Sequence, residues 1–287
     1  MTQTTDTTAD NRLPNNRQPS NQLTVNGHSV YAHTGGRPFD PARPVAVLLH
    51  GAGMDHTVWS LQTRYLAHHG RSVLAVDLPG HGRSGGEPLD SVAALADWVV
   101  ALLDAAGVAK AALIGHSMGA LVALDAAACH PDRVESVVLL GAAERMPVHP
   151  DLLAAAAAGD PSAIELVIGW GHGPRGHSGG SPTPGLALIP GGRRLMAAVK
   201  PGVLGVDLAA CNAYGQGGAS ADLVTCPALF VLGALDRMAP VKAGRSLASR
   251  IKASQIVTIP ATGHMVMTEA PDATLDALRS FFDLRRA

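Results

Sequence analysis

Apolar residues occur along this chain in two alternating patterns. Runs that are apolar at nearly every position lie at 45–50, 72–77, 111–116, 134–142, 228–233 and 255–260, and such runs are typical of strands buried on both faces of a sheet. Between and after them, apolar residues recur at helical spacing at 58–69, 91–106, 118–129, 241–251 and 271–282. The alternation predicts an α/β fold with a mostly parallel, twisted sheet and helices on both of its faces.

An antiparallel hairpin is predicted at the start of the folded region. Within residues 23–34, Asn26 and Gly27 separate two stretches in which polar and apolar residues alternate. An Asn-Gly pair favours a type I′ turn, because both central residues of that turn need a positive φ angle. Residues 1–20 are polar, and we expect them to form a disordered tail rather than a secretion signal.

One segment interrupts the alternation of strands and helices. Residues 144–223 begin with an Ala-rich helical pattern and continue, at 169–192, with many glycines and prolines, which favour loops over regular structure. An insertion of this kind after a strand is typical of a cap or lid. We therefore expect a core of residues 21–143 and 224–287, a cap at 144–223 and no regular core element at 169–192.

Composition and charge narrow the classes of partner. Apolar residues make up 47% of the 287 residues and charged residues 16%, and the formal net charge is -1. This composition supports a large core, and the near-zero charge gives no electrostatic attraction to nucleic acid. Because no apolar run is long enough to span a bilayer, we expect a cytoplasmic protein without a nucleic-acid or membrane partner.

A serine lies between two glycines where the strand predicted at 111–116 meets the helix predicted at 118–129. The sequence Gly115-His116-Ser117-Met118-Gly119 has the Gly-x-Ser-x-Gly form of a nucleophile elbow, a tight turn that lifts the serine hydroxyl clear of the sheet. A serine that only caps the helix is the alternative. The strand before it and the helix after it favour the nucleophile.

A serine nucleophile needs a histidine as general base and a carboxylate that orients it. Asp236 follows the strand predicted at 228–233, and His264 follows the strand predicted at 255–260. Both positions fit the chain order Ser, Asp, His that this fold requires. Asp222 is the rival carboxylate, but it precedes its strand and so falls at the wrong end of the sheet.

Two backbone amides are candidates for the oxyanion hole, the donors that stabilise the negative oxygen of the transition state. One is the N–H of Met118, directly after the serine, and the other is the N–H of Ala52, in the loop after the first parallel strand. His50, Gly51 and Gly53 support this loop. The glycines allow the backbone to approach a substrate closely.

Together these motifs resemble the α/β-hydrolase superfamily, in particular its small bacterial esterases, lactonases and C–C bond hydrolases. The resemblance rests on "HGAG" at 50–53, "DLPGHGRS" at 77–84, "GHSMG" at 115–119, the Gly-x-x-Asp that ends at Asp236, and the final Gly-His pair. It implies a Ser117, Asp236 and His264 triad, an oxyanion hole of the Ala52 and Met118 amides, and a cap that selects the substrate. The small Ala52 and the Gly- and Pro-rich cap differ from the family pattern, and both bear on specificity.

Cofactor and metal sites are not predicted. Gly51, Gly53 and Asp77 partly match a dinucleotide fingerprint, but His56 stands where its third glycine should be. His172 and His177 lie in the Gly-rich part of the insertion without further metal ligands, and we interpret them as residues of a solvated loop. The three cysteines, Cys129, Cys211 and Cys226, form no disulfide or zinc pattern. In the "GHGRS" turn, His81 and Arg83 are interpreted as surface or turn-stabilising residues.

The sequence thus predicts a cofactor-independent serine hydrolase that cleaves a small or medium carboxylic ester through an acyl-enzyme. Apolar residues of the insertion, such as Leu152 and Trp170, favour a small-molecule substrate with an apolar acyl part, while Arg175, Arg193 and Arg194 leave a carboxylate-bearing substrate open. A lactone, a thioester, a C–C bond or peracid formation would use the same triad, and a non-catalytic ligand-binding member of the fold is the less favoured alternative. Nothing in the pattern indicates an oligomeric state.

Overall fold

A computed structural model describes residues 22–283, so the tail expected at 1–20 lies outside the described residues. The described strands are β1 (Gln22–Val25), β2 (His28–His33), β3 (Val45–Leu49), β4 (Ser72–Val76), β5 (Ala111–His116), β6 (Val134–Leu140), β7 (Ala228–Gly233) and β8 (Ser254–Ile259). They form one sheet in the order β1-β2-β4-β3-β5-β6-β7-β8. From β4 to β8 neighbouring strands are parallel, while β1 pairs with β2 and β2 with β4 in antiparallel fashion. The predicted fold class is confirmed.

The opening hairpin has the predicted turn. Asn26 and Gly27 connect β1 to β2 with φ angles of 49° and 81°, as a type I′ turn requires. Val25 and His28 are paired across it.

The described helices flank the sheet and fill the insertion. They are α1 (Ser60–His68), α2 (Val92–Ala105), α3 (Met118–Cys129), α4 (Pro150–Ala157), α5 (Ser162–Gly171), α6 (Pro174–His177), α7 (Leu188–Ala197), α8 (Val203–Ala213), α9 (Gly217–Leu223), α10 (Val241–Ala248), α11 (Val266–Glu269) and α12 (Pro271–Asp283). A short 3₁₀ turn over His56–Trp59 precedes α1. All five helices predicted outside the insertion are present.

The sheet has a hydrophobic core on each face, because successive residues of a strand point to opposite sides. On one face, Val47 of β3 belongs to a cluster with Leu95 of α2 and Leu121 of α3. On the other face, Leu48 belongs to a cluster with Leu66 of α1 and Leu278 of α12. Every residue of β3 is buried, which explains the continuous apolar run in its sequence.

The insertion between β6 and β7 holds α4 to α9, which we call the inserted helices. Leu152, Ile168, Met196 and Leu208, from α4, α5, α7 and α8, form a hydrophobic cluster of their own. At its end, Ser220 of α9 donates a hydrogen bond to Asp125 of α3 at 2.9 Å. The inserted helices therefore pack with one another and are fixed to the core at α9.

Residues 169–192 hold no strand of the sheet, but the loop favoured by their glycines and prolines is interrupted by helices of the insertion. Helix α5 continues to Gly171, α6 follows directly, and α7 starts at Leu188 and passes through Pro190. Pro190 fits because it lies in the first turn of α7, where backbone N–H groups have no partner within the helix.

A membrane-spanning segment was not expected. None of the helices within residues 22–283 has the length and apolar character needed to cross a membrane.

Candidate active site

Ser117 occupies a strained turn between β5 and α3. Its φ of 54° and ψ of -118° are uncommon for a residue other than glycine. The glycines on either side allow the close approach: a methyl group on Gly115 would lie 2.1 Å from the Gly119 carbonyl oxygen, and one on Gly119 would lie 2.3 Å from that of Leu49. The two positions must therefore be glycine, because α3 lies too close to the ends of the strands to leave room for a side chain.

Asp236 and His264 meet although 28 residues separate them. Asp236 follows β7 and His264 follows β8, so both lie at the carboxyl edge of the sheet beside Ser117. His264 Nδ1 lies 2.8 Å from Asp236 Oδ2, and the other oxygen, Oδ1, accepts the N–H groups of Met238 and Ala239 at 2.8 Å each. Since the carboxylate can only accept here, Nδ1 carries the proton, and in the neutral imidazole Nε2 is the acceptor.

His264 and Ser117 line the same cavity. The Nε2 atom of His264 is buried and has no hydrogen-bond partner among the described residues. Because a buried nitrogen without a partner is costly, the arrangement favours a role in which a proton donor comes to Nε2.

The rival carboxylate, Asp222, is placed elsewhere. It is exposed on α9 and pairs with the guanidinium of Arg250. The structure thus brings Asp236, and not Asp222, to His264.

Gly141, directly after β6, also belongs to this site, and the sequence analysis missed it. Its φ is 58°, and a methyl group there would lie 2.8 Å from the His264 ring and 3.4 Å from Asp236 Oδ2. A glycine after an apolar strand was the available signal, but glycines of that kind are common. Gly141 leaves the space that the His264 imidazole occupies.

The loop after β3 is held by a buried neutral histidine. His50 Nδ1 donates to the Gly51 carbonyl at 2.9 Å, and Nε2 accepts the N–H of Leu78 at 3.1 Å. Burial, reinforced by the nearby His81, lowers the pKa of His50 to about 3. His50 therefore acts as a fixed, uncharged support of the loop.

The two predicted oxyanion donors are free. Within residues 22–283, the N–H groups of Ala52 and Met118 make no backbone hydrogen bond. Met118 is the first residue of α3, so its N–H points out of the positive end of a helix. Ala52 lines the cavity. That these amides bind an oxyanion stays a prediction.

An aspartate of α8 reaches this loop, and the sequence analysis did not single it out. Asp207 Oδ2 accepts the N–H of Gly53 at 2.8 Å and lies 2.8 Å from His81 Nε2. Asp207 and His81 are each 1% exposed, so the surface role considered for His81 is wrong. Arg83 is exposed and lies over the Tyr31 ring at 4.6 Å. The sequence separation of 154 between Gly53 and Asp207 explains why no local pattern revealed the contact.

The two histidines of the Gly-rich segment have different environments. His177 is exposed as predicted, but His172 is buried, lines the cavity and has its Nδ1 3.1 Å from the Ile168 carbonyl. Burial lowers the pKa of His172. The interpretation of His172 as a solvated residue is wrong because α5 extends almost to it and carries it inside.

The cavity above Ser117 has a volume of about 350 Å³. Its walls are largely apolar side chains of the inserted helices, among them Leu152, Val167, Ile168, Trp170, Leu195, Met196 and Leu208. The arginines considered from the sequence, Arg175, Arg193 and Arg194, do not line it, whereas Arg237 does. Arg193 instead pairs with Glu165 on the surface, at 2.6 Å.

Hydrogen bonding argues against the cofactor and metal alternatives. The carboxylate of Asp77 is buried and accepts the N–H groups of His56 and Arg83 at 2.8 Å each, so it is not presented to a ribose. Among the described residues, Asp55, His56 and Asp77 bring three potential metal ligands within 4.8 Å. His56 Nδ1 already bonds Asp77 at 2.7 Å, and Asp55 caps Thr57, so these groups stabilise the turn.

Comparison with known proteins shows where this chain belongs. A model of the alpha/beta hydrolase family matches residues 46–277. The pimeloyl-[acyl-carrier protein] methyl ester esterase of Neisseria meningitidis serogroup B is 30% identical over 249 residues, which are 82% of this chain and 92% of that protein. The dihydrolipoyllysine-residue acetyltransferase component of the acetoin cleaving system of Pseudomonas putida is 45% identical over 101 residues, which are 34% of this chain and 26% of that protein.

Solved structures agree with the sequence matches. The enol-lactonase from Burkholderia xenovorans LB400 superposes with a TM-score of 0.81 at 25% identity, over 91% of this chain and 99% of that chain. The resemblance and the hydrolase class predicted from the motifs are confirmed, and the chain belongs to the alpha/beta hydrolase family.

Proposed function

We propose that the chain is a cofactor-independent serine hydrolase that cleaves small or medium carboxylic esters. Ser117 is the nucleophile, His264 the general base and Asp236 the carboxylate that orients it. The observation that carries the proposal is the buried Nε2 of His264, which has no partner among the described residues and belongs to a side chain that lines the same cavity as Ser117.

The geometry supports a two-step reaction. His264 Nε2 takes the proton of Ser117 Oγ as the oxygen attacks the ester carbonyl, and the Ala52 and Met118 amides bind the oxyanion. His264 then gives its proton to the departing alkoxide, which leaves as the alcohol, and an acyl-enzyme remains. A water deprotonated by His264 releases the acid. Asp236 stabilises the imidazolium in both steps.

The inserted helices act, in this proposal, as a cap at 144–223 that selects the substrate. Side chains from α4, α5, α7 and α8 supply much of the cavity wall. Because these side chains are mostly apolar, an uncharged, apolar acyl part gains most from binding there. The substrate is a small molecule.

Lactones are the second candidate substrate. The similarity to the enol-lactonase favours them, whereas the Neisseria relative named a methyl ester esterase favours open-chain esters. In a lactone the leaving alcohol stays attached to the acyl group, so hydrolysis gives a single product, a hydroxy acid. Thioesters, C–C bonds and peracid formation use the same triad, but no described contact favours any of them.

The proposal is tested with p-nitrophenyl acetate, butyrate and octanoate and with an aliphatic lactone, for the wild type and for Ser117→Ala. We expect wild-type hydrolysis without added metal or cofactor, and a loss of about 10⁴-fold or more in kcat for the variant. Equal rates for the two proteins would exclude Ser117 as the nucleophile. If both are inert, failure of a fluorophosphonate to label Ser117 would favour a non-catalytic binding protein.

A further inference from the structure

A buried carboxylate joins the inserted helices to the loop that carries Ala52. Asp207 on α8 accepts the N–H of Gly53, the residue directly after Ala52, with its Oδ2 at 2.8 Å. The same oxygen lies 2.8 Å from His81 Nε2, in the turn after β4. One carboxylate oxygen of α8 thus contacts both the loop after β3 and the turn after β4.

The hydrogen-bond pattern favours a charged His81. Its Nδ1 lies 2.9 Å from the Pro79 carbonyl oxygen, and its Nε2 faces the Asp207 carboxylate. Both partners only accept, so both ring nitrogens donate, and only the imidazolium has two N–H groups. Burial opposes this charge, but Asp207, the Pro79 carbonyl and Asp77 outweigh it and raise the pKa of His81.

The charge of His81 compensates that of Asp207 in the buried site. A buried carboxylate without a counter-charge would be strongly destabilising, and His81 supplies that charge. The neighbouring ring, that of His50, lies 4.8 Å away by ring centroids and is neutral, with a pKa lowered to about 3. Asp207 Oδ2 thus meets two donors in the buried site, the Gly53 N–H and the His81 ring.

The loop is also packed closely beneath the inserted helices. Gly53 has a φ of 63°, and a methyl group there would lie 2.8 Å from Leu204 Cδ1 and 3.1 Å from Met196 Cε. Because Asp207 binds the Gly53 N–H, it fixes the peptide between Ala52 and Gly53. The Ala52 N–H belongs to the preceding peptide, whose Gly51 carbonyl lies 2.9 Å from His50 Nδ1, and this N–H has no backbone partner.

We propose that Asp207 is a positioning residue of the oxyanion hole: with His81 as its partner, it fixes the Gly53 amide so that the Ala52 amide is aimed at the substrate carbonyl. The inference rests on the proposed function. It links the inserted helices to the chemical step, because the arrangement that closes the cavity also assembles one donor of the site. Preorganised donors of this kind stabilise the transition state more than they strengthen substrate binding.

Asp207→Asn tests the proposal, with Glu165→Gln as the matched control. Glu165 also forms an ion pair among the inserted helices, with Arg193, but it is exposed and away from the loop. We expect Asp207→Asn to lower kcat about 10- to 100-fold with KM changed less than about threefold, because one donor is misaligned. Glu165→Gln should keep the wild-type kcat and KM.

Two readouts separate positioning from a purely structural role. The affinity of a trifluoromethyl ketone, which forms an oxyanion on Ser117, should fall by the same factor as kcat. The rate at which a fluorophosphonate labels Ser117 should fall as well, and it requires no knowledge of the substrate. A carboxylate that only docks α8 would instead change KM and the unfolding midpoint and leave ketone affinity per folded protein unchanged; that result would overturn the proposal.

A second variant covers the case in which Asp207→Asn does not fold. In His81→Leu/Asp207→Leu, apolar side chains replace the ion pair, so no charge is buried without a partner and no side-chain oxygen accepts the Gly53 N–H. We expect this variant to fold and to lose kcat and labelling rate as Asp207→Asn does. A folded double variant with wild-type kcat and labelling rate would contradict the proposal.

The proposed function is assessed in parallel with Ser117→Ala. If Ser117→Ala keeps the wild-type activity and labelling, the hydrolase mechanism itself fails. If Ser117→Ala is inactive while Asp207→Asn labels at the wild-type rate, only the role of Asp207 fails.

Discussion

His264 Nδ1 lies 2.8 Å from Asp236 Oδ2, while the other ring nitrogen of His264 is buried without a partner among the described residues. This one contact determines which nitrogen carries the proton. It leaves Nε2 as the acceptor of a neutral ring whose side chain lines the same cavity as Ser117. The chemistry proposed for the chain depends on it.

Asp236→Asn should therefore lower kcat by about 10⁴-fold, because an amide can stabilise the wrong tautomer of the histidine. The control is Asp222→Asn, which removes an exposed carboxylate of α9 that pairs with the guanidinium of Arg250. Its effect on kcat should be negligible. Steady-state kinetics of both variants decide the matter, and an Asp236→Asn enzyme within tenfold of the wild type would speak against the triad.

Gly141→Ala should displace the His264 ring. A methyl group at Gly141 would lie 2.8 Å from that ring, and misplacement by about 1 Å lowers rates by about 10²-fold. Gly107→Ala is the matched control, since Gly107 has a φ of 67° and nothing lies within 4 Å of an added methyl group. Both variants should lose about 1–2 kcal/mol of stability from backbone strain. Only Gly141→Ala should lose activity, measured beside the thermal unfolding midpoint; equal activities would show that the ring does not need this space.

Much of this arrangement could be predicted because it is encoded locally. Ser117 lies between glycines at a strand end, and Asp236 and His264 each follow an apolar run, so their shared edge follows from the topology of a parallel sheet. Asp207 could not be predicted in the same way. Its contact with Gly53 spans 154 residues and depends on how α8 packs.

In the insertion, local propensity favours loops at positions where the structure has helices. Pro190 and its glycine neighbours favour a loop, yet α7 includes them, because a proline in the first turn of a helix costs no hydrogen bond. His172 was assigned to solvent because of its neighbouring glycines, whereas the packing of α5 buries it. In both cases tertiary packing decided what the sequence pattern left ambiguous.

The apolar cavity predicts a preference for longer acyl chains. From acetate to butyrate, kcat/KM should rise about fourfold per methylene, if each is buried. Ile168→Trp should abolish this rise, because Ile168 lines the cavity. Ile256→Trp is the control, since Ile256 is 40% exposed on β8 and does not line the cavity. Rates on a p-nitrophenyl ester series test this; a flat series for the wild type would show that the acyl chain does not enter the cavity.

Stability should fall in acid partly through His50. Its pKa is lowered to about 3 in the folded protein, against about 6.5 in an unfolded chain. Between these values only the unfolded state binds the proton, so the free energy of unfolding falls as the pH drops, by up to about 1.4 kcal/mol per pH unit. His50→Gln should show a shallower fall between pH 6.5 and 5 in urea titrations than the exposed control His28→Gln. Identical slopes would contradict a neutral, buried His50.

The central claim is that Ser117 carries the acyl group during the reaction, and acid quenching followed by peptide mass spectrometry measures this directly. After brief reaction with p-nitrophenyl butyrate, we expect a butyryl adduct on the peptide containing Ser117 in the wild type. Ser117→Ala should show no adduct and no turnover. Turnover by the wild type with no adduct on Ser117 under saturating conditions, together with turnover by Ser117→Ala, would contradict the account.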